Sequence, residues 1–214
     1  MSTSKERIFH VTEILFQQML AVFVLLVFWQ LFISNSPANN KGTWHVVLCV
    51  MGFALCMAEG VQIFRHESVV TFGHTREEKK MAHMIVMAFA FICITIGISL
   101  KISQKEDFNL EHFSSTHGVL GLIAWILSFI AVLGGVFSMY FRNTSISPRV
   151  VKLCHIFLGI TTYALGVACL CYGLEYLMGG RGRGWVALVI LLVVYATYSL
   201  IGPFKSIFNY LRND

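Results

Sequence analysis

Charge is scarce in this chain. Only 13% of its 214 residues are Asp, Glu, Lys or Arg, and only three are proline: Pro37, Pro148 and Pro203. A soluble domain carries roughly a quarter of its residues as charges to keep a polar surface, so this composition excludes one. No block of like charge is long enough for a nucleic-acid-binding arm, and no Pro-, Gly- or Ser-rich tract divides the chain. One domain over residues 1–214 is the economical reading. The six cysteines, Cys49, Cys56, Cys93, Cys154, Cys169 and Cys171, fall inside apolar runs, and none belongs to a C-x-x-C pattern. That usage fits packing rather than disulfides or a thioether-linked cofactor.

What is present is apolar. Hydrophobic residues make up 57% of the chain, and the mean hydropathy is +0.72. Six apolar runs lie near 11–33, 45–64, 82–100, 116–141, 153–174 and 185–204, each about 20 residues or more, the length that spans a bilayer as a helix. The first is preceded by Lys5 and Arg7, as in a signal peptide. It is too long for one, and Ile33-Ser34-Asn35-Ser36 is a poor cleavage site, so it is read as a retained helix. The expected fold is an all-α membrane protein of six transmembrane helices.

With six spans, both termini share one side with the second and fourth loops. That side carries eleven lysines and arginines, against Lys41, Lys101, Lys105, Arg181 and Arg183 on the other. The excess places both termini in the cytoplasm. Asn143-Thr144-Ser145 matches a glycosylation sequon but then lies in a cytoplasmic loop, where no glycan is expected.

Four histidines, His45, His83, His117 and His155, begin four successive runs, the second to the fifth. Because alternate helices begin on opposite sides, His45 and His117 share the non-cytoplasmic level, and His83 and His155 share the cytoplasmic one. Two imidazoles from facing helices at one depth are what the iron of a b-type haem needs. Two pairs imply two haem b per chain inside a central core of helices 2 to 5, the irons on the order of 20 Å apart. Gly121 and Gly159, one turn after His117 and His155, and Gly52, two turns after His45, leave bare backbone beside a flat macrocycle. A proton relay or a transition-metal path is the rival for intramembrane histidines. A haem anchor subunit that passes electrons between quinone and a partner protein is another.

Trp44-His45, Lys80-x-x-His83, Thr116-His117-Gly118 and Lys152-x-x-His155 resemble the cytochrome b561 family, over essentially the whole chain. Cys56-Met57-Ala58-Glu59 and the short termini are similar to its domain-containing, tumour-suppressor-like branch. The resemblance implies a transmembrane ascorbate-dependent oxidoreductase, usually a homodimer embedded in membrane lipid. Electrons are then taken from cytoplasmic ascorbate and delivered through the two haems to ferric chelates or monodehydroascorbate on the far side. The location expected is an endomembrane, endoplasmic reticulum or endo-lysosomal vesicles, ahead of the plasma membrane.

Ascorbate is an anion at neutral pH. Lys80 and Lys152 each stand three residues before a ligand, one turn toward the cytoplasm on the ligand's own helix face, and Lys79 and Arg149 add charge to the same end. All four are candidate substrate-binding residues, although cations at a helix end also snorkel to headgroups. On the far side, His112, five residues before His117, resembles a family histidine at that spacing. It is read as lying in a loop with Lys101, Lys105, Glu106, Asp107 and Glu111. Its imidazole suits a ferric chelate or a proton passed to monodehydroascorbate. Glu59, within helix 2, requires a hydrogen-bonding partner there or tunes the nearby haem. No residue is assigned an acid-base catalytic role.

Overall fold

The computed structural model describes residues 4–35, 40–65, 73–140 and 147–212. The Asn143 sequon and Pro37 lie outside them. The helices are α1 (Ser4–Trp29), α2 (Lys41–Cys49), α3 (Met57–Gln62), α4 (Arg76–Asp107), α5 (Thr116–Tyr140), α6 (Pro148–Leu177) and α7 (Arg183–Arg212). A π-helical segment, Val50–Cys56, joins α2 to α3 as one span, and another, Gln30–Asn35, extends α1. Among the described residues six helices are long and apolar enough to cross a membrane, as the sequence predicts.

Local chemistry sets the ends. Asn40 Oδ1 accepts the Gly42 amide at 2.8 Å and opens α2. Thr75 opens α4 with a reciprocal capping box, its hydroxyl accepting from the Glu78 amide at 3.3 Å while its own amide donates to Glu78 Oε2 at 2.7 Å. Pro148 occupies the first turn of α6, where its missing N–H costs nothing. Hydropathy marks only the apolar middle of α4, so the helix outruns the predicted span at both ends. Lys101, Lys105, Glu106 and Asp107 are therefore helical rather than in a loop. Pro203 likewise lies inside α7, which continues past it to Arg212.

α5 packs chiefly on α6 and α2 on α4, while α7 lies outside against α1, α3 and α6. The π-helical segment fills the middle of the core with Val50, Phe53 and Ala54, against Ile94, Tyr163 and Val167. Gly52 serves this packing. Its bare backbone meets Ile94 and the Ala90 carbonyl, so it is a helix contact rather than a gap beside a cofactor.

Glu59 of α3 faces the outer helices α1 and α7. Tyr195 donates its hydroxyl to Glu59 Oε1 at 2.6 Å and Gln17 Nε2 donates to Oε2 at 3.2 Å. Gln62 Nε2 donates to the Tyr195 oxygen at 2.8 Å, and Arg65 Nη1 donates to Gln62 Oε1 at 3.2 Å. A donor relay thus runs from Arg65 through Gln62 and Tyr195 to the carboxylate, which offsets the cost of carrying it into the membrane and ties α1 and α7 to α3.

Candidate functional site

The four histidines come together in the two pairs that their alternation predicts. His45 of α2 and His117 of α5 face each other with ring centres 6.0 Å apart and planes at 83°. His83 of α4 and His155 of α6 do the same at 6.2 Å and 79°. His45 Nδ1 lies 2.9 Å from the Gly97 carbonyl, His83 Nδ1 2.8 Å from that of Gly60 and His117 Nδ1 3.0 Å from that of Cys169. A carbonyl only accepts, so each of these Nδ1 atoms carries the proton and each Nε2 keeps a lone pair for a metal. His155 differs, since its buried Nδ1 has no hydrogen-bond partner among the described residues.

A haem iron fits this arrangement. Two imidazoles on opposite sides of one metal need about 2 Å for each bond and about 1 Å from nitrogen to ring centre, roughly 6 Å in all. Among the described residues no three or more His, Cys, Asp or Glu converge on a metal position. Ligands in twos suit an iron whose other four positions are filled by a porphyrin. The glycines leave room for its plane: nothing lies within 4 Å of a Cβ built on Gly159, and only Cys169 Sγ, at 3.3 Å, faces Gly121. On Gly173 such a Cβ would stand 3.0 Å from His117 Cε1, and on Gly135 3.3 Å from His155 Cε1. A cavity of about 530 Å³ opens at the His45–His117 level, with Phe53, Gly121 and Gly173 on its walls, within the usual size of a cofactor pocket.

His112 lines the mouth of that same cavity, with Lys101 and Lys105 from the end of α4. The turn that carries it includes Asn109 and Phe113, both at φ 51°. A left-handed bulky residue such as Phe113 is kept only where surrounding structure fixes the loop.

At the opposite end a cleft of about 600 Å³ is lined by Arg76, Glu77, Lys80, Pro148, Arg149, Lys152 and Tyr210. Three of the four predicted cations, Lys80, Arg149 and Lys152, thus converge. Lys79 does not: its ammonium donates to the Arg65 carbonyl at 3.0 Å. Neighbouring helical residues point about 100° apart, so only one of Lys79 and Lys80 can face the cleft. Two lining residues escape the sequence reading. Arg76 stands one turn before Lys80, a spacing that was available to find it. Tyr210 arrives from α7 and had no such signal.

Residues 44–178 match a family model described as eukaryotic cytochrome b561. The human protein named transmembrane reductase CYB561D2 is 28% identical over 180 residues, 82% of this chain and 81% of that protein. Its bovine namesake is 30% identical over 139 residues, 64% of this chain and 63% of that protein. An Arabidopsis thaliana protein named probable transmembrane ascorbate ferrireductase 4 is 29% identical over 150 residues, 70% of this chain and 61% of that protein.

Proposed function

This chain belongs to the eukaryotic cytochrome b561 family, and from that membership we propose an oxidoreductase that moves electrons across a membrane. The donor is cytoplasmic ascorbate, and the acceptors are ferric chelates or monodehydroascorbate on the far side. Relatives named transmembrane reductase and transmembrane ascorbate ferrireductase support the activity class. The observation that carries the reading is the pair of facing histidines at each end of the core, with a cationic cleft beside one pair.

Two haem b per chain are proposed, one held by His45 and His117 and the other by His83 and His155. Bound haem supplies a one-electron couple that requires no nucleophile from the protein. The chain's own residues then have three tasks. The carbonyls of Gly97, Gly60 and Cys169 hold the imidazole rings in orientation and in the Nδ1–H tautomer. Lys80, Lys152 and Arg149 draw an anionic donor to the cytoplasmic end. His112, exposed at the far cavity's mouth, binds the acceptor or passes it a proton. Loop charge supports cytoplasmic termini, and a homodimer in an endomembrane completes the proposal.

Proteoliposomes enclosing a ferric chelate are expected to reduce it when ascorbate is added outside without quinone. His112→Ala should slow chelate reduction several-fold while leaving reduction of the protein by ascorbate unchanged. A variant slowed in the ascorbate step instead would show that the two faces have been assigned in reverse. Wild-type vesicles that respond only when quinone is supplied would favour an anchor subunit.

A further inference from the structure

We propose that Tyr210, near the end of α7, is a positioning residue of the cytoplasmic cleft, holding Lys152 and Arg149 of α6 in the orientation that receives a small oxidisable organic anion. This rests on the reading of that cleft as the ascorbate site.

One residue meets both α6 cations through three of its groups. Lys152 Nζ donates to the phenol oxygen, and the same ammonium lies 4.5 Å from the ring centre. Arg149 Nη2 donates to the Tyr210 backbone carbonyl at 3.3 Å, with its guanidinium carbon 5.9 Å from the ring. The partners are separated by 58 and 61 residues in sequence, so the docking of α7 on α6 creates these contacts. Across the cleft Lys80 is held by Glu77 at 2.6 Å. Glu77 is the one carboxylate among the lining residues, against Arg76, Lys80, Arg149 and Lys152, which leaves positive charge in excess.

The choice of a tyrosine matters chemically. A carboxylate at this place would orient Lys152 and neutralise it at once. A neutral phenol orients the ammonium, leaves its charge in place and leaves two of its three N–H groups for an incoming anion. A lysine restrained beforehand loses less rotamer freedom on binding, so the gain appears as affinity. A tyrosine serving only as an interfacial anchor would turn its hydroxyl to headgroups; here the hydroxyl and ring are both engaged by cations of the cleft.

The test uses the full-length haem-loaded protein and follows its reduction by absorbance over a range of ascorbate concentrations. Y210F removes the hydroxyl alone, and Y210A removes the ring as well. The half-saturating ascorbate concentration is expected to rise about threefold in Y210F and on the order of tenfold in Y210A. The limiting rate at saturation, and reduction by an uncharged hydroquinone, should stay at the wild-type values. Unchanged half-saturation in Y210F and Y210A while K152Q weakens ascorbate use would overturn the Tyr210 proposal alone. So would a lowered limiting rate, or equal slowing with the uncharged donor, which would mark a structural role. Ascorbate kinetics untouched in K80Q and K152Q as well would overturn the donor-site reading, and the Tyr210 proposal with it.

Discussion

Replacing His83 with alanine is expected to halve the haem content, from two per chain to one, and to slow reduction by ascorbate at least about 100-fold. His83 and His155 face each other across 6.2 Å, and His83 is oriented by the Gly60 carbonyl. His155 has no such second hydrogen bond among the described residues, so the better-oriented ligand of this pair is the one removed. His155 alone leaves one side of an iron without a protein ligand. The fold should survive, because the change deletes one hydrogen bond worth about 1 kcal/mol and a ring packed beside Phe64. His45 and His117 donate their Nδ1 hydrogen bonds to the carbonyls of Gly97 and Cys169, contacts that the mutation does not touch, so that pair should keep its haem. Haem-to-protein ratio and stopped-flow absorbance read both effects. Two haems per chain in the variant, or reduction at the wild-type rate, would break the ligand assignment.

The second large effect concerns the cleft. Exchanging Lys80 and Lys152 together for glutamine should lower the rate of reduction at low ascorbate roughly 30-fold, with haem content unchanged. Each ammonium is half-buried and lines the same cleft one turn from a histidine of the His83–His155 pair. A cation so placed is worth about 1 kcal/mol to a bound anion, or roughly fivefold in rate apiece. Neither lysine is essential to its helix. Lys80 is tied to Glu77 on its own exposed turn and Lys152 to Tyr210 of α7. The slowing should fade as salt is raised, since these charges act partly through solvent. Kinetics unchanged at low salt would leave both lysines as ordinary snorkelling cations at a membrane face.

The histidine pairing was legible in the sequence because it depends only on counting spans: alternate helices start on opposite sides, so histidines near helix starts sort themselves by level. The convergence of Lys80 and Lys152 on one cleft was legible for a similar reason, each standing one turn before a paired histidine on that histidine's own helix. Contacts that depend on how separate helices dock were not. Gly60, whose carbonyl meets His83, lies beyond the π-helical Val50–Cys56, where counting faces at 3.6 residues per turn no longer holds. Glu59 required a partner by elementary electrostatics, yet nothing local identifies Tyr195, 136 residues away. Tyr210 is the same case in the cationic cleft. Lys79 was grouped with Lys80 by proximity along the chain, and the helix turns the two apart. The N-terminal end of α4 was underestimated because hydropathy does not register a charged turn that its own capping box makes helical.

The central claim is that each pair of facing histidines holds one haem. Its most direct measurement is the ratio of haem b to polypeptide in the purified wild-type protein, taken together with that of His83→Ala and His45→Ala. Two haems are expected in the wild type and one in each variant, with ascorbate reducing the remaining haem rapidly only when the His83–His155 pair is intact. A wild-type ratio of one, or two haems retained in either variant, would contradict it.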